Sequence, residues 1–285
     1  MTLSVALTQM ACTDGQDENL RRAERLIRAA AARGAELVLL QELFAGPYFC
    51  QEKDPAHFEL ACEIDRSPVV ARMESLAREL GVVLPVSFYE RTPHGLFNSI
   101  AVIDADGSRL GVYRKSHVPN DPGYFEKFYF ADGDTGFQVW DTAMGRLGVG
   151  ICWDQWFPEA ARAMTLQGAQ VLLYPTAIGR DPLYPGGSPM AQWLRCMQGH
   201  AAANFMPVVA SNRVGEERTR DGGALEFLGR SFATDHHGEV LVQADERGEG
   251  VFLARLDLEQ ADRERRMWGL LGDRRPDLYG ALTVG

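Results

Sequence analysis

Residues 146–159 read RLGVGICWDQWFPE, a stretch in which a strand pattern is followed by the start of a helix. A short apolar strand containing glycines leads to Cys152, and Pro158 then opens a helix, since proline is favoured in a helix's first turn. A nucleophile at such a strand-to-helix turn is held exposed, and N–H groups at the helix start can face a developing oxyanion. Cys152 is therefore predicted to be a nucleophile, although an isolated cysteine is more often a small buried apolar residue.

Strand and helix patterns alternate on both sides of this turn. Residues 36–40 form a continuous apolar run, which is typical of a strand buried on both faces. Residues 67–80 begin with Ser-Pro and end before Gly81, which predicts a helix. Strands are also predicted over 3–8 and 171–174, and strands intermixed with helices in this way predict stacked layers of sheet and helix.

The composition is that of an ordinary globular protein and indicates one main domain. Of the 285 residues, 46% are apolar and 24% are charged. No Pro/Ser-rich linker interrupts the alternation, so residues 1–258 are predicted to be a single domain. Residues 259–285 form a tail in which a charged stretch precedes Trp268-Gly-Leu-Leu271. The tail is expected either to pack on another subunit or to lie as a helix on its own domain.

Charge and cysteine usage exclude several classes of function. The 29 basic and 39 acidic residues give a net charge of −10, so no nucleic-acid partner is expected. No apolar run approaches the roughly 18 residues that span a bilayer, and the first residues lack a signal-peptide pattern. A cytoplasmic protein without a membrane partner is therefore expected. Five scattered cysteines without a Cys-x-x-Cys motif argue against disulfides and a structural zinc site.

A cysteine nucleophile needs a base, because the thiolate is the reactive form and the free pKa is about 8.5. One arrangement uses a carboxylate with a lysine: Glu42 follows the apolar run 36–40, and Lys115 follows the predicted strand 110–113. In α/β sheets, sites are assembled at strand ends. The other arrangement is a histidine-assisted thiol protease. Its candidate bases are His57, His94, His117, His200, His236 and His237.

The residues of the carboxylate arrangement also carry a family resemblance. The segments QEL (41–43), YRKSHVP (113–119) and GICWD (150–154) resemble the Glu, Lys and Cys motifs of the nitrilase superfamily of carbon–nitrogen hydrolases. The resemblance extends from about residue 3 to 256. It implies an α/β fold, a four-layer αββα sandwich of two mixed sheets. It further implies Glu42 as general base, Lys115 as oxyanion stabiliser and proton donor, no cofactor and no metal, and a homo-oligomer of two or more chains.

Four further segments are similar to those of N-carbamoylputrescine amidases within the superfamily: PGYFEKFYF (122–130), CWDQWFPE (152–159), YPTAIG (174–179) and MQGHAAAN (197–204). The similarity implies a small cationic ureido substrate, cleaved to putrescine, CO2 and ammonia in polyamine biosynthesis. Glu126 would orient the substrate, although composition alone would favour an exposed carboxylate paired with Lys127. The Trp153 N–H would bind the oxyanion, and Asp181 and Tyr48 are further substrate-binding candidates, Asp181 for the amine tail.

Several alternatives stay open at this point. Those amidases commonly have Ser-Glu-Pro where this chain has Arg180-Asp181-Pro182, which leaves the length of the substrate undecided. A second possibility is an amidase or carbamoylase of the same superfamily that acts on an N-carbamoyl amino acid or an aliphatic amide. A third is a non-catalytic scaffold, which the joint presence of Glu42, Lys115 and Cys152 argues against.

Overall fold

The computed structural model describes residues 1–180, 189–220 and 222–284. The strands are β1 (Thr2–Gln9), β2 (Leu37–Leu39), β3 (Leu84–Thr92), β4 (Gly95–Ile103), β5 (Arg109–Arg114), β6 (Val139–Thr142), β7 (Gly145–Val149), β8 (Val171–Pro175), β9 (Val208–Ser211), β10 (Val214–Arg218), β11 (Ala224–Leu228), β12 (Phe232–Thr234), β13 (Val240–Gln243) and β14 (Gly250–Asp257). The helices are α1 (Gln16–Ala32), α2 (Pro68–Leu80), α3 (Glu126–Tyr129), α4 (Pro158–Leu166), α5 (Met190–Asn204) and α6 (Leu258–Trp268). None of the helices in these ranges is long and apolar enough to cross a membrane.

The strands form two mixed sheets and one separate hairpin. The first sheet has the order β14-β1-β2 and continues through a parallel bridge between Leu37 and Val83 into β3-β4-β5. The second sheet has the order β13-β12-β9-β8-β7-β6, and β7, β8 and β9 are parallel. The β10–β11 hairpin pairs from Val214 with Leu228 to Arg218 with Ala224.

Alternating side chains on β1 show how the layers are stacked. Leu3, Val5 and Leu7 belong to a core that they share with strands of the second sheet and with α4 and α5. Ala6 belongs instead to a core that includes Ile27 of α1 and residues of α2. Because successive side chains of a strand point to opposite faces, the first sheet is covered by α1 and α2 on one side and by the second sheet on the other. This confirms the predicted αββα sandwich.

Most predicted elements are present, with corrections at their ends. The predicted helix 67–80 is α2, and the Ser67 hydroxyl caps it by accepting the Val70 N–H at 3.3 Å. The strand expected to reach Cys152 ends at Val149, because the chain leaves the sheet to form the turn that carries the thiol. Sequence reasoning did not assign β6, β10 or β11.

The tail begins with a helix that lies on its own domain. The strand β14 ends at Asp257, whose side chain accepts the Gln260 N–H and so caps α6. The helix buries Leu258 and Ala261. Its last residue, Trp268, lies 5.5 Å from the Phe205 ring between ring centroids but is 63% exposed. Contact of the tail with another subunit stays a prediction.

Candidate active site

Cys152 lies at the bend between β7 and α4. A 3-10 turn runs from Cys152 to Trp156, and Pro158 begins α4. Gly150 allows the strand end to approach its neighbour, since a Cβ there would stand 2.8 Å from the Tyr174 ring. The φ of Cys152 is 42°, in the left-handed region that non-glycine residues rarely adopt except at functional sites. The bend thus holds the thiol in a buried position, 5% exposed.

Asp154 ties this bend to the segment that carries Lys115. Its Oδ2 accepts hydrogen bonds from the Tyr113 hydroxyl at 2.7 Å and from the Ile151 N–H at 2.9 Å. Its Oδ1 accepts the His117 backbone N–H at 2.9 Å and lies 2.8 Å from Nδ1 of the same residue. Since Tyr113 and His117 flank Lys115 in the chain, one buried carboxylate positions both segments. Sequence reasoning quoted Asp154 within a motif but assigned it no role.

Lys115 bridges two carboxylates in a fully buried cluster. Its Nζ donates to Glu42 Oε1 at 2.8 Å and to Glu126 Oε2 at 2.6 Å, and all three side chains are 0% exposed. Asn98 of β4, also missed from the sequence, donates to Glu42 Oε1 at 2.7 Å. Glu42 Oε2 has no hydrogen-bond partner among the described residues. A buried carboxylate oxygen left unpaired is available to accept a proton.

Tyr48 supports the second carboxylate. Its hydroxyl donates to Glu126 Oε1 at 2.6 Å, and its ring packs edge-on against Phe227 with centroids 5.8 Å apart. Glu126 begins α3 and is fully buried, so the alternative of an exposed carboxylate paired with Lys127 is wrong. Composition could not reveal this, because the buried Glu126 is paired with Lys115, 11 residues away, and with Tyr48, 78 residues away.

The charges of the cluster determine which groups are ionised at rest. Burial raises the pKa of Cys152 well above its ordinary value, Glu42 raises it further, and Lys115 partly offsets this. Burial alone would lower the pKa of Lys115, but Glu126 and Glu42 outweigh burial and raise that pKa well above its ordinary value. Burial also raises the pKa of Glu126 to about 7, although the Lys115 ammonium opposes the shift. The resting site therefore holds a neutral thiol and a charged lysine, and the thiol requires a general base.

Backbone N–H groups line the thiol. The backbone of Ala177 lowers the pKa of the Cys152 thiol, against the larger effect of burial. Trp153 is the second residue of the 3-10 turn, where an N–H has no intrahelical acceptor. Such a group next to the nucleophile can donate to a developing oxyanion. The Trp153 side chain is 36% exposed, so the turn reaches the protein surface.

Arg213 holds the loop that carries Glu42. Its guanidinium is fully buried and donates to the carbonyls of Glu42 at 2.9 and 3.2 Å, of Leu43 at 2.6 Å and of Gly46 at 3.1 Å. It also pairs with Glu217 at 2.8 Å. Leu43 has a φ of 48°, a strained conformation that these contacts help to maintain. Sequence reasoning missed Arg213; the only signal was its position two residues after the apolar strand β9.

The structure thus brings Glu42, Lys115, Glu126 and Tyr48 into one cluster, whose charges act on Cys152. Asp181, predicted to bind the amine tail, lies outside the described residues.

Two of the histidines predicted as alternative bases, His117 and His200, have other partners. His117 contacts Asp154 and stacks on Phe157 with ring centroids 3.6 Å apart. His200 Nε2 lies 2.8 Å from the Gln155 carbonyl oxygen. Both residues therefore brace the Cys152 turn, which weakens the histidine-protease reading.

Two groups of side chains within the described ranges could hold a metal ion. They are His236, His237 and Glu264, and Glu52, Asp54 and His57. Neither group includes the Cys152 thiol or the Lys115 cluster.

The chain matches a known family of hydrolases in sequence and in fold. A family model described as carbon–nitrogen hydrolase matches residues 4–266. A crystal structure of a carbon–nitrogen hydrolase from Helicobacter pylori G27 superposes with a TM-score of 0.93 at 39% identity and covers 100% of this chain and 99% of that one. The chain therefore belongs to the carbon–nitrogen hydrolases of the nitrilase superfamily. It is an enzyme that hydrolyses carbon–nitrogen bonds of amides.

Two curated relatives match over nearly the whole chain. An N-carbamoylputrescine amidase from Arabidopsis thaliana is 52% identical over 283 residues, 98% of this chain and 95% of that protein. A citrullinase from Francisella tularensis is 49% identical over 281 residues, 99% of this chain and 98% of that protein. The two substrates named by these relatives share a ureido group on an alkyl chain and differ at the far end.

Proposed function

We propose that this enzyme is a thiol amidohydrolase that cleaves N-carbamoylputrescine to putrescine, CO2 and ammonia. The observation that carries the proposal is the buried Lys115 between Glu42 and Glu126, together with the unpaired Glu42 Oε2 and the neutral Cys152 thiol. This arrangement has a nucleophile, a proton acceptor and a fixed positive charge. The name of the Arabidopsis relative supports the choice of substrate.

In the first step, Glu42 accepts the proton of the Cys152 thiol while the sulfur attacks the ureido carbon. The carbonyl oxygen becomes an oxyanion, which the Lys115 ammonium and the Trp153 N–H stabilise. Loss of one such donor typically lowers the rate by about 10²–10³. The bond to the alkylamine nitrogen then breaks, Glu42 returns the proton to that nitrogen, and a carbamoyl thioester remains on Cys152.

In the second step, Glu42 removes a proton from water, and the resulting hydroxide attacks the carbamoyl thioester. The carbon–sulfur bond breaks and the Cys152 thiol recovers its proton from Glu42. The released carbamic acid decomposes to CO2 and ammonia. Lys115 and the Trp153 N–H again stabilise the oxyanion, so one set of groups serves both steps.

Glu126 acts on the substrate and on Lys115. With Tyr48 donating to Oε1 and Lys115 donating to Oε2, its position is fixed from two sides. We assign it the role of orienting the ureido NH2 group, because a carboxylate accepts hydrogen bonds from such a donor. Tyr48 then serves to position Glu126 and does not itself bind the substrate.

The far end of the substrate is assigned to the loop after β8. An ammonium entering a closed site needs a carboxylate, since an unpaired buried charge costs several kcal/mol. Asp181 is the candidate for that carboxylate. L-citrulline is the second candidate substrate, which the citrullinase relative favours, and its far end carries a carboxylate as well as an amine. We propose that the enzyme acts in polyamine biosynthesis, through the arginine/agmatine route, in the cytoplasm. We also propose that it is a homo-oligomer with the tail 259–285 at an interface.

The test compares three ureido substrates by release of ammonia and CO2. They are N-carbamoylputrescine, L-citrulline and N-butylurea, which has the same alkyl length without the ammonium. We expect kcat/KM to be highest for N-carbamoylputrescine, and at least about tenfold above N-butylurea, or about 1.4 kcal/mol. Asp181→Asn should remove most of that preference while changing N-butylurea turnover little. A higher value for L-citrulline would reject the substrate, and an equal loss on all three would reject the role of Asp181.

The nucleophile is tested separately with the cysteine variants. Cys152→Ala should abolish turnover of every ureido substrate, while Cys12→Ala, Cys62→Ala and Cys196→Ala stay within a few-fold of the wild type. Iodoacetamide should label one fast thiol in the wild type and lose that site in Cys152→Ala. Near-normal turnover in Cys152→Ala would reject the mechanism whatever the substrate is.

A further inference from the structure

Two histidines and a glutamate meet outside the active site. His236 and His237 lie in the turn between β12 and β13, and Glu264 lies on α6. Glu264 Oε2 is 3.0 Å from His236 Nε2 and 2.7 Å from His237 Nε2. All three ligand atoms lie within 4.8 Å of one another. The site therefore joins the C-terminal helix to the second sheet through three converging side chains.

The backbone of the turn is fixed before any ion binds. Asp235 Oδ1 accepts the N–H groups of His237 and Glu239, both at 2.9 Å. The Gly238 carbonyl accepts the Gln198 side chain at 2.7 Å, and the φ of Gly238 is 90°, a conformation that favours glycine. A Cβ at this glycine would stand only 2.7 Å from the Gln198 carbonyl oxygen. The two imidazoles thus extend from a rigid turn that packs on α5.

The glutamate is oriented by a neighbour on its own helix. Gln260 donates to Glu264 Oε1 at 2.8 Å, which leaves Oε2 facing the imidazoles. Within the part of the chain that the structure describes, Glu264 makes ion pairs with His236 and His237 and with no lysine or arginine. The carboxylate is therefore not neutralised by a permanent cation.

The donor set and its spacing suit a transition-metal ion. Zn²⁺ is bound by imidazole nitrogens and carboxylate oxygens at about 2.0–2.2 Å, usually in a tetrahedron. Such a tetrahedron places ligand atoms about 3.3 Å apart, so the two contacts of Glu264 Oε2, at 3.0 and 2.7 Å, need to open by about 0.3–0.6 Å. His236 is 5% exposed, while the His237 side chain is 49% exposed, which leaves room for water as a fourth ligand.

We propose that His236, His237 and Glu264 bind one Zn²⁺ or a chemically similar divalent ion, which fastens α6 to the β12–β13 turn. Metal binding breaks the two N–H···O hydrogen bonds to Glu264. Each Nε2 proton moves to Nδ1 or is released to solvent, and two metal–nitrogen bonds and one metal–oxygen bond form. The ion stabilises the attachment of the C-terminal helix and takes no part in the reaction at Cys152.

The second candidate group serves as an internal control. Asp54 Oδ2 accepts Arg220 at 2.7 Å, and its Oδ1 accepts the Ala56 N–H at 2.9 Å. His57 Nδ1 lies 3.3 Å from the Tyr129 hydroxyl. A permanent cation therefore already pairs with Asp54, and His57 contacts a hydroxyl outside the group, so no binding is expected there.

The experiment titrates the tag-free, full-length protein with Co²⁺, a coloured substitute for Zn²⁺, and then displaces it with Zn²⁺. We expect one ion per chain, with visible absorption bands and without the near-ultraviolet band of a cobalt–thiolate bond. His237→Gln and Glu264→Gln should weaken binding at least about tenfold. His57→Gln should leave it unchanged. His237→Gln is the cleaner of the two, since its side chain is half exposed and the variant is expected to fold.

Thermal unfolding gives a second readout. Zn²⁺ should raise the Tm of the wild type and of His57→Gln, because an ion that binds the folded state stabilises it. It should not raise the Tm of His237→Gln, and turnover by the metal-free His237→Gln should equal that of the metal-free wild type. No saturable binding, a thiolate band alone, or unchanged affinity in both His237→Gln and Glu264→Gln would overturn the proposal. None of these results depends on which ureido compound the enzyme hydrolyses.

Discussion

Lys115 lies between two carboxylates, and on the surface Glu24 lies between two guanidinium groups at nearly the same distances. The buried cluster has contacts of 2.8 and 2.6 Å at 0% side-chain exposure. The surface cluster joins Glu24 to Arg28 at 2.9 Å and to Arg72 at 2.5 Å, with the two arginines 41% and 58% exposed. Judged by contact distances alone, the ion pairs of the two clusters would be expected to have equal strength.

The difference lies in what water does for each cluster. On the surface, water reaches both guanidinium groups and, to a smaller extent, Glu24, which is 16% exposed. Breaking a pair there therefore changes the free energy of unfolding by about 0–1 kcal/mol. In the interior, each charge of the Lys115 cluster depends on its partners, and removing one leaves an uncompensated charge that costs about 3–5 kcal/mol. The pKa values also move in opposite directions: burial raises that of Glu126 to about 7, while the Arg72 hydrogen bond lowers that of Glu24. Ion pairs of equal length can therefore serve catalysis in one place and do little in another.

The largest expected effect is on turnover and separates the two clusters by chemistry. Glu42→Gln should lower kcat by about 10²–10⁴, because the isosteric amide cannot transfer a proton. Glu24→Gln is the matched control and should leave kcat unchanged. Stopped assays of ammonia release measure both. If Glu42→Gln retained most of its activity in a folded protein, the base would have to be another group.

The second effect is on stability and on rate together. Lys115→Met should lower the free energy of unfolding by about 3–5 kcal/mol, because it leaves two buried carboxylates without a cation. Turnover should fall by at least about 10², since the oxyanion loses its charged donor. Arg28→Met, which removes one arginine from the surface cluster, should cost at most about 1 kcal/mol. Urea unfolding monitored by tryptophan fluorescence compares the two variants, and similar losses in both would contradict the contrast.

Asp154→Asn has a smaller effect that acts through position. One of its two oxygens becomes an NH2 group, which cannot accept a hydrogen bond. The variant therefore loses either the hydrogen bonds from Ile151 and Tyr113 or the one from the His117 N–H. We expect a loss of about 1–3 kcal/mol in unfolding free energy. We expect kcat to fall with little change in KM, because the relative position of the Cys152 thiol and Lys115 changes while the residues that bind the substrate keep their places. A variant that changes KM alone would show that Asp154 has a different role.

The pH dependence tests the sign of the Glu126 shift. Its pKa in the folded protein, about 7, is above the ordinary value of 4.5, so the folded state binds the proton more tightly than the unfolded state. The stabilisation is present at low pH and is lost as the pH rises from about 4.5 to about 7, with a slope of up to about 1.4 kcal/mol per pH unit. Glu126→Gln should remove that slope. Urea unfolding at a series of pH values measures it, and parallel curves for the two proteins would contradict the assignment.

The smallest effect belongs to the surface cluster and has the opposite sign with pH. The pKa of Glu24 is lowered, so its contribution is present at neutral pH and is lost as the pH falls through and below its ordinary value of 4.5. At neutral pH, Glu24→Gln should cost less than about 1 kcal/mol, and added salt should shrink the cost. Comparing unfolding of both proteins at low and high ionic strength checks this. A cost that salt does not change would mean that the cluster is less exposed to solvent than the arginines indicate.

Much of the site could be read from the sequence because chemistry-bearing residues follow apolar strands. Glu42, Lys115 and Cys152 all lie within three residues of a strand end, and strands of two packed sheets bring those ends together. The helix α2 and most strands could be predicted for a similar reason, since their apolar period and end residues are local signals. The β10–β11 hairpin could not, because GEER (215–218) has neither a regular alternation nor an apolar run.

The supporting contacts could not be predicted, because they join distant parts of the chain. Arg213 contacts the carbonyl of Glu42 across 171 residues, and Tyr48 contacts Glu126 across 78. Nothing local distinguishes a buried arginine from the many exposed ones, since its burial is made possible by carbonyls that only the fold assembles. The same holds for Glu126, which composition would place in water.

The left-handed backbone at Cys152 restricts which inactive forms of this enzyme can be used to trap a bound ligand for crystallography. A residue with a φ of 42° accepts glycine without strain and tolerates unbranched side chains at a cost of about 1–2 kcal/mol. Valine, isoleucine and threonine carry two heavy atoms on Cβ and are genuine outliers there. Alanine, serine and glycine at position 152 therefore preserve the shape of the binding site, whereas a threonine would disable the enzyme by distorting the turn and would leave a distorted complex to interpret.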